Sequence, residues 1–129
     1  MRRKYLDEIG VTKDCYMFST DDPRQPAWDK EREEYGFDER ETWALDTTLY
    51  CWLKERLKMF LDVNCVDLTF HKFEYDGETL TQEECINRMI NGCEIYFLEE
   101  DCWGRSVEDQ KAIEDVVKIW AMVLPAMWW

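Results

Sequence analysis

Histidine is nearly absent. His71 is the single one among 129 residues, so a Ser-His-Asp or Cys-His catalytic unit can be assembled only through it. It stands between Phe70 and Lys72-Phe73 in a stretch that reads as strand, with no nucleophile motif beside it. Carboxylates are too abundant for any pair to stand out as an acid-base couple. The GxGxxG, GxxxxGK(S/T) and HExxH patterns of phosphate binding and zinc hydrolysis are missing as well. The expectation is a protein that is not an enzyme.

Cations are also scarce. Lys and Arg number 16 against 29 Asp and Glu, a formal charge of −13. Direct binding to bare nucleic acid needs a basic footprint that this balance denies; a partner whose own surface is basic is favoured instead. Long apolar runs are lacking too. The nearest, Ile119 to Trp129, falls short of the about 18 residues of a membrane span and is interrupted by Pro125. The basic start, Met1-Arg2-Arg3-Lys4, runs into Asp7-Glu8 rather than an apolar segment, which predicts no signal peptide, no membrane association and a cytoplasmic location.

Six cysteines are present, at 15, 51, 65, 85, 93 and 102, yet they form no CxxC pair and the histidine offers no HxxxH. Reduced thiols are expected. No cofactor is expected either; a structural zinc is the one that the residue types leave open, with Cys65 and His71 the weak candidates for it. Cys85 and Cys93 fall instead on an apolar helical stripe, where cysteine behaves as a small hydrophobe.

What the chain does have is aromatic bulk: seven Trp, six Tyr and six Phe, large apolar surfaces that predict a packed core despite the charge. Residues 1–37 read as an irregular N-terminal region in which Asp21-Asp22-Pro23 leads into a short helix, Trp28 to Tyr35, closed by Gly36. Residues 38–129 read as a helical core, the whole forming one domain. Its first amphipathic helix is predicted over Glu39 to Leu61, capped by Asp38, with Leu45, Leu49, Trp52, Leu53, Leu57, Phe60 and Leu61 on its inner face. Alternation at Val66, Leu68 and Phe70, then at Phe73 and Tyr75 before Asp76-Gly77, predicts one or two short strands. Thr81-Gln82-Glu83-Glu84 spells a capping box with Leu80 and Cys85 as a staple. The helix it starts should bury Cys85, Ile86, Met89, Ile90, Cys93, Tyr96 and Phe97, with Gly92 permitting a close crossing. Ser106 should cap a last helix, through at least Leu124, that buries Ile113, Val116, Val117, Trp120, Val123, Leu124 and Met127 before Pro125 bends or ends it. The fold class is therefore mostly α (α+β): three main amphipathic helices with a short β element between the first and second. Trp128 and Trp129 are expected to fold back onto the core, the other outcome being an adhesive patch for a partner or a homodimer.

Several stretches carry a resemblance. Gly36-Phe37-Asp38-Glu39-Arg40-Glu41-Thr42-Trp43-Ala44-Leu45-Asp46, Trp52-Leu53, Arg56-Leu57-Lys58, Leu80-Thr81-Gln82-Glu83-Glu84 and the terminal Pro125-Ala126-Met127-Trp128-Trp129 together resemble a family of small phage and prophage proteins of gut Firmicutes. The likeness covers roughly residues 36 to 129. It implies a protein made by a mobile element inside a bacterial host, and bulky hydrophobes at the positions of Cys85 and Cys93. As a class, small acidic proteins of this kind are similar to anti-CRISPR inhibitors. The resulting expectation is an inhibitor of a basic, nucleic-acid-binding host protein, with a Cas9-type effector the most specific candidate. Contacts are expected from the acidic tracts Asp21 and Asp22, Glu31, Glu33 and Glu34, and Glu99, Glu100 and Asp101. The alternatives are a phage structural or assembly accessory protein acting through aromatic surface, and a zinc-stabilised interaction module.

Overall fold

The computed structural model describes residues 22–98 and 104–128. These are mostly helical: α1 (Gln25–Tyr35), α2 (Arg40–Trp43), α3 (Leu45–Val63), α4 (Gln82–Leu98) and α5 (Val107–Val123), with an antiparallel pair, β1 (Lys72–Tyr75) and β2 (Glu78–Thr81), between α3 and α4. The described residues fall into two compact units, the first ending at Glu55 and the second beginning at Arg56. No helix among them is long and apolar enough to cross a membrane.

In the first unit, Pro26 sits in the opening turn of α1, where its missing N–H costs nothing. Gly36 closes the helix in the left-handed region at φ 82°, its N–H donating to the Arg32 carbonyl. Trp28 is completely buried. Its indole N–H donates to Glu39 Oε1 at 2.6 Å, and the guanidinium groups of Arg24 and Arg40 lie 4.7 and 4.8 Å from its ring centre. Trp43 meets it edge-on at 5.8 Å.

The single helix expected over Glu39 to Leu61 is broken. Ala44 stands at φ −139°, ψ 81°, between α2 and α3, and the Thr48 hydroxyl donates to the Glu41 carbonyl across the break at 2.9 Å. Asp38 does reach the helix start as expected: its Oδ1 accepts from the main-chain N–H of Arg40 at 3.1 Å, although Glu39 is the residue that directly precedes α2. Asp38 is buried, and its carboxylate is also forked onto the Arg40 guanidinium at 2.9 and 3.0 Å. On α3 the inner face is narrower than expected: Leu53 and Leu57 are buried, whereas Leu45, Leu49 and Trp52 are exposed.

In the second unit, Asp76 and Gly77 both take positive φ, 51° and 78°, the two-residue turn whose twist suits a tight hairpin. It sets the register Lys72↔Thr81 to Tyr75↔Glu78. Residues 66–70 do not continue the sheet; the Asp67 carboxylate folds this segment into a turn by accepting from Thr69 N at 2.9 Å. The Thr81 hydroxyl then caps α4 by accepting from Glu84 N at 3.2 Å, and it donates to the Glu84 carboxylate at 3.2 Å. On α4 the residues Cys85, Ile86, Met89, Gly92 and Cys93 are buried, and burial pushes the Cys85 thiol pKa up. Ser106 caps α5 by accepting from Asp109 N at 3.1 Å.

Gly92 is the close crossing anticipated for it. A Cβ there would come within 2.5 Å of the Ala112 carbonyl oxygen and closer still to a Val116 methyl. On α5 Ile113, Val116 and Val123 are buried as expected and Ile119 joins them, while Val117 and Leu124 are exposed. A 3₁₀ turn, Leu124–Ala126, carries Pro125 and ends the helix.

Candidate functional site

Four of the eight carboxylates expected to meet a partner, Asp21, Glu99, Glu100 and Asp101, lie outside the described residues, as does Trp129. The other four divide by role. Asp22 wraps its own neighbourhood, accepting from Arg24 N at 2.9 Å, Nε at 3.0 Å and Nη2 at 2.8 Å, with its side chain only 12% exposed. Glu31 accepts from Glu39 N at 2.7 Å and so holds the entry to α2. Both serve the fold. Glu33 and Glu34, on the outer side of α1, are exposed and have no ion pair with another described residue.

Cys65 and His71 are both exposed. Among the described residues no group of three or more His, Cys, Asp or Glu side chains is placed to hold a metal ion. Cys51, Cys85 and Cys93 are buried. Cys15 and Cys102 lie outside the described residues.

The concave feature of the second unit was not anticipated from the sequence. A groove of about 470 Å³ lies between the segment that leads into β1 and the end of α5, walled by Phe70, His71 and Phe73 on one side and Met122, Pro125 and Trp128 on the other. Gln82 is its keystone. This buried residue donates its main-chain N–H to the His71 carbonyl at 3.1 Å, while its side-chain amide donates to the Ala126 carbonyl at 3.1 Å. One residue at the start of α4 thus ties both walls together, its side-chain Nε2 donating within the fold.

Trp128 does not dock onto the core. It is 74% exposed, and Phe70 opposite is 77% exposed. The His71 ring meets Phe70 edge-on at 5.4 Å. Large aromatics left in water on the lip of a groove are available for contact at little cost in ordering. The aromatics themselves are the sequence signal, but alternation places Phe70 in a strand and the apolar C-terminal run places Trp128 on the core, so neither points to a groove.

A second hollow, of about 350 Å³, adjoins the first and is lined by Asn64, Glu83 and Asn87 along with Leu61 and Leu68; Val66 and Asp67 border both. Asp67 is fixed in place. Its Oδ1 accepts from Thr69 Oγ1 at 2.5 Å and from Thr69 N at 2.9 Å, and those two bonds hold its pKa below the usual carboxylate value. The surface so built joins apolar side chains to carboxylates.

No family model, curated protein or solved structure matches the chain.

Proposed function

We propose that this chain is a binding protein without catalytic machinery of its own: an acidic, phage-derived inhibitor that docks on a basic nucleic-acid-handling protein of a bacterial host, a Cas9-type effector being the specific candidate. The observation that supports the reading is the charge, −13 over 129 residues, together with Glu33 and Glu34 standing exposed on one helix. Carboxylates held on a folded scaffold compete with phosphate for a cationic channel. The test is capture of a purified Cas9-type effector on the immobilised protein at low and high salt. Capture is expected at low salt, to weaken as salt rises, and to weaken severalfold in the Glu33→Lys/Glu34→Lys variant. Absence of capture, or capture indifferent to both changes, overturns the reading.

A second reading, a phage assembly accessory protein held to its partner through aromatics, draws support from the exposure of Phe70 and Trp128. It expects association that survives high salt and is lost in Trp128→Ala.

A further inference from the structure

The two hollows of the second unit share the border Val66–Asp67, and their chemistries differ. One side is apolar and aromatic, with Phe70 and Trp128 exposed at its lip. The other holds Glu83, an exposed carboxylate on the first turn of α4, whose main-chain N–H is tied to the Leu68 carbonyl at 3.1 Å. Asp67 stands between them with one oxygen engaged by Thr69. Covering Phe70 and Trp128 strips water from Asp67 as well, and a desolvated carboxylate demands a cation beside it.

That requirement selects the occupant. A second copy of this chain brings a charge of −13 and the same two carboxylates to the contact, so like charges would face one another at the border. An anionic membrane surface is repelled for the same reason. A groove of about 470 Å³ is the size that takes side chains rather than a whole domain face. We infer that the joined hollows receive a peptide segment of a partner protein, with bulky apolar side chains against Phe70 and Trp128 and a neighbouring Lys or Arg beside Asp67 and Glu83. This rests on the reading of the chain as a binder of basic proteins, and it names where the partner is held.

The probe is a fluorescein-labelled synthetic peptide of the pattern Leu-Leu-Trp-Gly-Lys-Arg, with two controls: Glu-Glu in place of Lys-Arg, and Ser in place of the apolar residues. Binding to the full chain is followed by fluorescence polarisation and by the indole resonance of Trp128. The parent peptide alone should bind and move that resonance. Trp128→Ala and Phe70→Ser should each weaken it roughly tenfold or more; both residues are exposed, and an unchanged circular dichroism spectrum shows that the fold is kept. Asp67→Asn retains the oxygen that Thr69 needs, so it should weaken binding severalfold and flatten the salt dependence without unfolding. The inference is overturned if the three peptides bind alike, or if Asp67→Asn and Glu83→Gln leave the parent peptide's affinity unchanged. It is also overturned if sedimentation shows a dimer that Trp128→Ala dissolves, or if lipid vesicles bind through Trp128. Capture of the Cas9-type effector run in parallel separates the two proposals. Capture undiminished by Trp128→Ala sinks the groove and spares the inhibitor reading, whereas peptide binding without capture does the reverse.

Discussion

Asp38 and Arg40 stand two positions apart, both buried, joined by a forked ion pair, with Arg40 also lying over the Trp28 ring. Burial makes such a pair sensitive to the loss of one member, but Arg32 Nε lies 3.7 Å from Asp38 Oδ2 and keeps a positive charge beside it. Arg40→Ala should therefore lower the unfolding free energy by about 3 kcal/mol, the low end for breaking a buried pair, measured by urea denaturation. Tyr75 gives a second prediction. Its hydroxyl donates to Asp115, which also accepts from Lys111 at 2.9 Å, and Lys111 pairs with Asp76 at 3.0 Å. Burial first, then the Asp115 carboxylate, pushes the phenol from 10.0 up to about 12. The folded state holds that proton more tightly than the unfolded chain. Its contribution is whole below pH 10 and is lost as the pH climbs toward about 12. Asp115 behaves oppositely: burial alone would raise its pKa, but the bonds from Tyr75 and Lys111 outweigh burial and lower it. Its share is present above the ordinary carboxylate value and is lost as acid carries the pH through the depressed one. Tyr75→Phe should abolish the late phenolate step in an ultraviolet titration and cost about 1.5–3 kcal/mol, as expected for a bond to a charged acceptor.

At the level of the element, the parts that could be read in advance were those set by local chemistry. The Asp76-Gly77 turn, the Thr81 and Ser106 caps and the Gly36 stop each depend on a few adjacent residues, and each stands where it was expected. The break at Ala44 was illegible because alanine is the best helix former, and nothing local marks it. What goes with it is tertiary: Trp43 set edge-on to Trp28 and Arg40 set on Asp38. The inner face of α5 is narrower than the pattern suggests because apolar residues come in adjacent pairs, Val116-Val117 and Val123-Leu124, and of each pair the first alone is buried. The groove was hidden for another reason: its walls are far apart in sequence, and the bonds of Gln82 that tie one to the other are tertiary. Acidic tracts were legible as composition, but not which carboxylates the fold uses itself. Gly92→Ala offers a test of the α4–α5 crossing. Alanine should gain up to about 1 kcal/mol of helix propensity, yet overpacking costs about 1–3 kcal/mol where neighbours can shift, and here one neighbour is main chain. A net loss is expected, seen as a lowered urea midpoint. Val116→Ala in the same chain should not restore it.

For the whole molecule, the surplus of negative charge opposes compaction. Exposed pairs such as Lys58–Glu94 at 3.0 Å and Arg88–Glu78 at 2.7 Å add little individually, so screening should relieve more repulsion than it removes attraction. Raising salt from about 0.01 M to about 0.15 M shortens the screening length from about 30 Å to about 8 Å. The thermal midpoint should rise over that range, while capture of a basic partner falls. Stability and binding thus respond to salt with opposite signs, and weaker capture at higher salt cannot be ascribed to unfolding. A midpoint that falls with salt would mean that ion pairing outweighs repulsion.

At position 92 the obstacle to any side chain includes the oxygen of a peptide group on the facing helix, and no replacement of a neighbouring residue can trim a backbone atom. Hydrogen is the sole substituent this spacing admits. Any descendant of the chain that preserves the juncture must keep glycine there, however freely its exterior drifts. Distant kin should be sought by that single unsubstituted carbon, framed by a small residue at 112 and a branched one at 116, before any likeness in the aromatics is weighed.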